Sequence, residues 1–186
     1  MTTIIYAHPY SGSFNHAVLD LTVETLNKKG EQVCVIDLYE DGFNPALEAD
    51  SLRLYSHGES ADPIVKRYVD VLLGTDKIIM IFPVWWGMFP AIVKGFFDKV
   101  MLTGTAYRYN SDGMLIPADI NIKRTILLTT SQSDTGLFRP FFEDYLPNHI
   151  LKAVGFNNAE WYNCAHTAHG PDENRKKFLQ TVTTVV

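Results

Sequence analysis

The sequence predicts an α/β fold: a doubly wound, five-stranded parallel sheet of order 2-1-3-4-5, with helices on both faces. Three observations lead there. Short apolar runs, several of them β-branched, recur as "TTIIYA", "QVCVIDLY", "KIIMIF", "KRTILLTT" and "AEWYN", and segments of helical period separate them. The third run is almost continuously apolar, as expected of a strand covered on both faces. Right-handed crossovers between five such strands leave few topologies and favour this order.

The elements follow in turn. Thr2 to Ala7 reads as a buried strand. Ser13 or Asn15 caps a helix to about Lys29, with Val18, Leu21, Thr25 and Leu26 on one stripe and Lys28-Lys29-Gly30 as its stop. Gln32 to Tyr39 is the second strand. Asp41 to Pro63 is polar and irregular, with a short helix near Glu48 to Tyr55. Asp62-Pro63 opens a helix whose apolar face carries Ile64, Val65, Tyr68, Val71 and Leu72. Lys77 to Phe82 is the third strand, and Pro90 begins a helix to about Leu102. "GTAYRYNSDGML" is a loop or short hairpin, and Lys123 to Thr130 is the fourth strand. An α-helix from about Phe138 to Val154, closed by Gly155, a fifth strand from Ala159 to Asn163 and a helix from Pro171 to about Thr183 complete the chain.

At 186 residues this is one domain, residues 1–186, large enough to bury a core without disulfides. A net charge of −5 with no basic cluster disfavours nucleic-acid binding. The longest apolar stretch, Ile78 to Met88, is broken by Pro83 and Gly87, so no membrane insertion is expected. The N-terminus lacks the basic and apolar regions of a signal peptide, and two cysteines make no framework, which points to the cytoplasm.

In such sheets ligands bind beyond the carboxyl ends of the strands, at the switch point. The loops to inspect follow strands one, three and four. The first places Gly12, Ser13, Phe14 and Asn15 at a helix entrance, where free N–H groups and the helix dipole attract phosphate, with His8 as a further donor. An ordinary capped turn accounts for it equally well when read alone. Neither a dinucleotide-binding GxGxxG nor a GxxxxGK[ST] loop occurs.

The second loop, "FPVWWGMFP", sets Trp85 and Trp86 beside Gly87. Their faces would wall a planar aromatic ligand, or else cap the core or a subunit interface. The third, "TTSQSDTG", offers hydroxyls and N–H groups to a ring edge or a second phosphate, although a plain surface loop has the same composition. Cys164, His166 and His169 give a faint metal-site pattern, read here as a polar loop, and no metal is expected.

Taken together, "HPYSGSFN", "FPVWWGMFPAIVKGFFDKV", "GTAYRY" and "TTSQ" resemble the flavodoxin-like NAD(P)H:quinone oxidoreductases, of the DT-diaphorase and bacterial modulator-of-drug-activity type. The resemblance covers nearly the whole chain and implies a set of roles. His8, Gly12, Ser13, Phe14 and Asn15 would bind the flavin phosphates. Pro83, Val84, Trp85, Trp86 and Gly87 would lie along the isoalloxazine ring, Trp86 also facing the substrate. Thr129, Thr130, Ser131 and Gln132 would form the loop that is Thr-Thr-Gly-Gly in the family, so two glycines are replaced. Tyr107 and Tyr109 would close the substrate pocket from the partner in a homodimer, and Asp98 matches an acidic residue of the following helix. The family's Tyr and His proton relay has no counterpart at the right spacing.

The implied activity is ping-pong hydride transfer from NAD(P)H to flavin N5 and on to a quinone or similar electrophile, with no side chain assigned as catalytic. The "SFN" start looks like the FAD-binding members, so non-covalent FAD is expected, with FMN the alternative. Two other functions fit the same residues: a flavodoxin-type electron carrier, against which the aromatic enclosure argues, and a flavin-binding regulatory subunit of a potassium efflux system.

Overall fold

A computed structural model describes residues 1–186. Its main sheet joins β1 (Thr2–Tyr6), β2 (Val33–Asp37), β3 (Lys77–Pro83), β6 (Arg124–Thr130) and β7 (Ala159–Cys164) in the order β2-β1-β3-β6-β7, all parallel. β4 (Tyr107–Tyr109) and β5 (Leu115–Pro117) form a separate antiparallel hairpin. With that hairpin set aside, the order is the predicted 2-1-3-4-5.

The period of two along each strand sorts the core. Ile4, Tyr6, Ile79, Ile81, Ile126 and Leu128 point to one face, where α1 (Phe14–Lys28) and α5 (Asp172–Val185) supply Val18, Leu26, Phe178 and Val182. Ile5, Met80, Phe82 and Leu127 point to the other, under α3 (Pro63–Leu73), α4 (Ala91–Val100) and the helix Pro140–Leu151. Each such side chain, fully buried, stabilises the fold by about 1.5–3 kcal/mol before chain entropy is counted.

The helix ends follow their caps. Ser13 Oγ accepts from the His16 N–H at 3.1 Å, and Gly30 takes a φ of +72° after α1. Asp62 caps α3 by accepting from the Ile64 N–H at 2.9 Å. The same carboxylate meets the Lys99 ammonium at 3.1 Å, and Lys99 also donates to Asn44 O at 2.8 Å. Lys99 is buried on α4, so this one cation ties the irregular segment, including α2 (Ala49–Tyr55), to the helix layer. Burial opposes the charge on Asp62, but the bonds from Lys99 and Ile64 outweigh it and leave its carboxyl below the ordinary range.

Two expectations need correction. Pro90 is the cap of α4 rather than its first residue. The segment expected as an α-helix from Phe138 to Val154 is a 3-10 turn at Thr135–Phe138, a π-helix at Pro140–Leu151 and a second 3-10 turn at Lys152–Val154. Pro147 lies inside it, and in an α-helix its ring would strike the carbonyl four residues back. A wider turn relieves that clash. Gly155 then ends the segment at φ +80°, where a Cβ would sit 1.8 Å from Ile120 O.

Candidate functional site

The loops after β1, β3 and β6 meet at the carboxyl rim of the sheet, as the topology requires. They enclose two adjoining cavities of about 350 and 640 Å³.

The smaller is lined by His8, Ser13, Phe14 and Asn15 from the first loop, by Pro83, Val84 and Trp85 from the second, and by Thr130, Ser131 and Gln132 from the third. The α1 terminus carries no acidic residue in its first turn, so the positive end of its dipole faces the cavity unopposed. His8 Nδ1 engages the Tyr10 backbone, 3.1 Å from its N–H and 3.2 Å from its C=O, which fixes the ring. Burial lowers the His8 pKa, opposed by the Tyr10 backbone bond, and so disfavours the charged ring.

Asn15 spans two loops. Its Nδ2 donates to Thr130 Oγ1 at 2.9 Å, while its buried Oδ1 has no partner. An orphaned acceptor costs free energy unless a donor arrives, and a polyol hydroxyl is such a donor. A helix terminus for phosphate, next to an acceptor for a hydroxyl, fits the ribityl phosphate of a flavin.

The larger cavity has the more apolar set of lining residues. Trp86, Gly87, Leu137, Phe138 and Phe141 line it with Val84 and Gln132. A tight turn builds its lip: Trp85 and Met88 exchange backbone hydrogen bonds of 2.9 and 3.1 Å. Both central residues lie in the left-handed region, Trp86 at φ 53° and Gly87 at φ 80°. Glycine adopts this freely, but a tryptophan there is strained by about 1–2 kcal/mol. The Trp86 side chain is wholly exposed, so core packing does not hold it there. Strain of this kind clusters at ligand sites.

The remaining predicted residues are placed around these cavities. Thr129 is buried beneath the third loop, where its Oγ1 accepts from Trp161 Nε1 at 2.8 Å and donates to Asn163 Oδ1 at 2.9 Å. Gly12 lies under the Tyr10 ring. Tyr107 and Tyr109 line neither cavity of their own chain. The Tyr107 hydroxyl accepts from Thr103 at 2.9 Å and its ring packs on Tyr55, whereas Tyr109 is exposed. Asp98 sits on the exposed side of α4, paired with Lys94.

Sequence reasoning missed the loop after β7. Thr167 and Ala168 line the smaller cavity, drawn in by bonds from Thr167 N–H to Ser131 O (3.0 Å) and from Ala168 N–H to Gln132 Oε1 (3.2 Å). His166 Nε2 lies 2.8 Å from Asp134 Oδ1, tying the same two loops. The carboxyl-rim rule covers this loop as well and would have found it.

A family profile described as a flavodoxin-like fold matches residues 1–185. NAD(P)H dehydrogenase [quinone] 1 of Rattus norvegicus is 31% identical over 213 residues, covering 96% of this chain and 76% of the relative. FMN-dependent NADH:quinone oxidoreductase 2 of Clostridium acetobutylicum is 28% identical over 120 residues, 61% of this chain and 60% of the relative. Among solved structures, the NAD(P)H:quinone oxidoreductase from Methanothermobacter marburgensis superposes with a TM-score of 0.83 at 25% identity, covering 98% of this chain and 95% of that one.

Proposed function

Because the chain belongs to the family with the flavodoxin-like fold, we propose that it is a flavin-dependent NAD(P)H oxidoreductase that reduces quinones or similar small electrophiles by two electrons. One observation carries this reading: a cavity suited to a ribityl phosphate adjoins a larger cavity lined by Trp86, Phe138 and Phe141 at the switch point. The names of its relatives support the same activity. In preference to the FAD expected from the "SFN" start, FMN is taken as the cofactor, because a relative is named as FMN-dependent.

When bound, the flavin supplies the hydride chemistry, so that NAD(P)H, a quinone and one proton become NAD(P)⁺ and a hydroquinone. The chain's residues bind and orient. The α1 terminus and Ser13 hold the phosphate, Asn15 Oδ1 accepts from the polyol, and Val84 to Gly87 flank the ring. Trp86 and Phe141 would give donor and acceptor, in turn, one aromatic-lined site beside the ring.

The larger cavity is open, and Trp86, Leu137 and Tyr145 around it are exposed. In this reading a second copy covers that face, its hairpin bringing Tyr109 over the pocket, and the homodimer works in the cytoplasm. No helix of the chain is long and apolar enough to cross a membrane.

The test is direct. The purified protein should be yellow, release a flavin of the mass of FMN, and oxidise NADH or NADPH with menadione in parallel-line kinetics. A colourless protein that takes up neither FMN nor FAD overturns the reading.

A further inference from the structure

Only two residues line both cavities, Val84 and Gln132. Gln132 stands on a rigid base. The preceding Ser131 donates its N–H to Cys164 O (2.9 Å) and accepts from the Thr167 N–H (3.0 Å). Its hydroxyl donates to Ser133 O (2.8 Å) and accepts from Asn163 Nδ2 (2.9 Å). Asn163 also donates to Thr135 Oγ1 at 2.9 Å, so one amide on β7 pins the loop at two points. Where the family pattern has glycines, this chain has a serine bonded on every polar group, followed by a long amide.

That amide has a fixed sense. The Ala168 N–H, 3.2 Å away, has only a proton to offer, so Gln132 must turn its Oε1 towards it. The NH2 group therefore faces away from Ala168, at the wall between the cavities.

This inference rests on the reading above, with ribityl phosphate in the smaller cavity and ring in the larger. The shared wall is then where the polyol chain joins the ring. On one side of that junction is the hydrocarbon edge of a flavin, and on the other the N1–C2=O edge, which gains negative charge when two electrons and one proton arrive. Val84 is apolar and Gln132 is a donor. We propose that the Gln132 NH2 donates to the N1–C2=O edge and stabilises that charge.

The experiment compares wild type, Gln132→Ala and Gln132→Glu, each loaded with FMN. Three quantities are read: the two-electron midpoint potential, the Kd of sulfite, and the Kd of oxidised FMN. Sulfite forms a bond to N5 and leaves its charge on the same N1–C2=O edge without turnover. Gln132 is exposed and makes one side-chain hydrogen bond, so both variants keep the fold. Gln132→Ala is expected to weaken sulfite binding about tenfold and lower the potential by about 30 mV, the two-electron equivalent of tenfold. Gln132→Glu is expected to go further in both, because it sets an acceptor where a donor is needed. Oxidised FMN should bind both variants within about threefold of wild type, since the charge is absent in that state. Unchanged potential and sulfite affinity in both variants, or a loss confined to oxidised FMN, overturns the proposal while leaving the oxidoreductase reading intact. Failure of the wild type to bind flavin overturns both.

Discussion

The two rims of the sheet are built from the same strands and treat their polar groups in opposite ways. At the amino rim the charges close on one another. Asp76 takes the Met1 ammonium and Lys123, each at 2.7 Å, and the Lys123 bond, followed by that of the amino terminus, draws its carboxyl down to about 2. Glu31 accepts from Thr2 at 2.7 Å and from Lys77 at 3.0 Å, and Arg124 grips Glu160 with two bonds of 2.7 and 3.2 Å. At the carboxyl rim the groups are held open: Asn15 Oδ1 has no partner, and Trp86 is strained and uncovered. Native proteins pair nearly all their buried polar groups; of the four left unpaired here, Tyr6, Asn15 and His16 gather around the entrance to α1, and Thr125 alone lies at the amino end of β6. Of these, Asn15 is the one that lines a cavity, where a ligand can complete it.

The contrast can be broken most forcefully at Asn15. Replacing it with alanine is expected to raise the Kd for flavin about 10- to 100-fold, read by fluorescence quenching, as a buried hydrogen-bonding group is lost from the complex. Unchanged affinity would mean that the orphaned oxygen is not part of the site. Next in size is Trp86→Gly. Relief of the left-handed strain should raise the thermal midpoint of the flavin-free protein by about 2–4 °C. The KM for menadione should meanwhile rise about fivefold for want of one aromatic contact. Stability and function then move in opposite directions at this rim.

Acid should act on the other rim. Glu31 is held low first by the Thr2 hydroxyl, with burial opposing and Lys77 assisting, and Glu160 is held low first by Arg124. Carboxyls with depressed folded values contribute stability that is fully present above their unfolded value, about 4.3, and is lost as pH falls through the folded one. Circular dichroism should therefore stay flat from neutral pH down to about 5 and decline below about 4, less steeply in Glu31→Gln. The smallest effect belongs to Asp76→Asn. That pair is exposed, so flavin affinity should not change, and the slight drop in thermal midpoint should vanish in high salt.

The same asymmetry explains what could be read in advance. The strands were legible because each is a short apolar run, and right-handed crossovers narrowed their order to a few topologies. His8 to Asn15 and Pro83 to Gly87 were legible because a helix entrance and a paired tryptophan turn are local in sequence. Thr167 and Ala168 carry no local signal, because hydrogen bonds to Ser131 and Gln132, more than thirty residues away, bring them to the cavity, and only the carboxyl-rim rule pointed to their loop. The π-helix was missed because apolar spacing alone does not separate it from an α-helix, although Pro147 carried the signal. The placement of Tyr107 depends on Thr103 and Tyr55, contacts that no periodicity reveals.

The β4–β5 hairpin hangs from the long crossover between β3 and β6, anchored by Ala118 N–H to Ala106 O (3.1 Å) and Asp119 N–H to Thr105 O (2.8 Å). It shares no ladder with the main sheet. A branch attached in this way can grow, shrink or change its tip while every register of the trunk stays as it is. Doubling its length would cost only about 0.6 kcal/mol in closure entropy. Descendants of this chain are thus free to diversify whatever the branch touches without relearning how to fold.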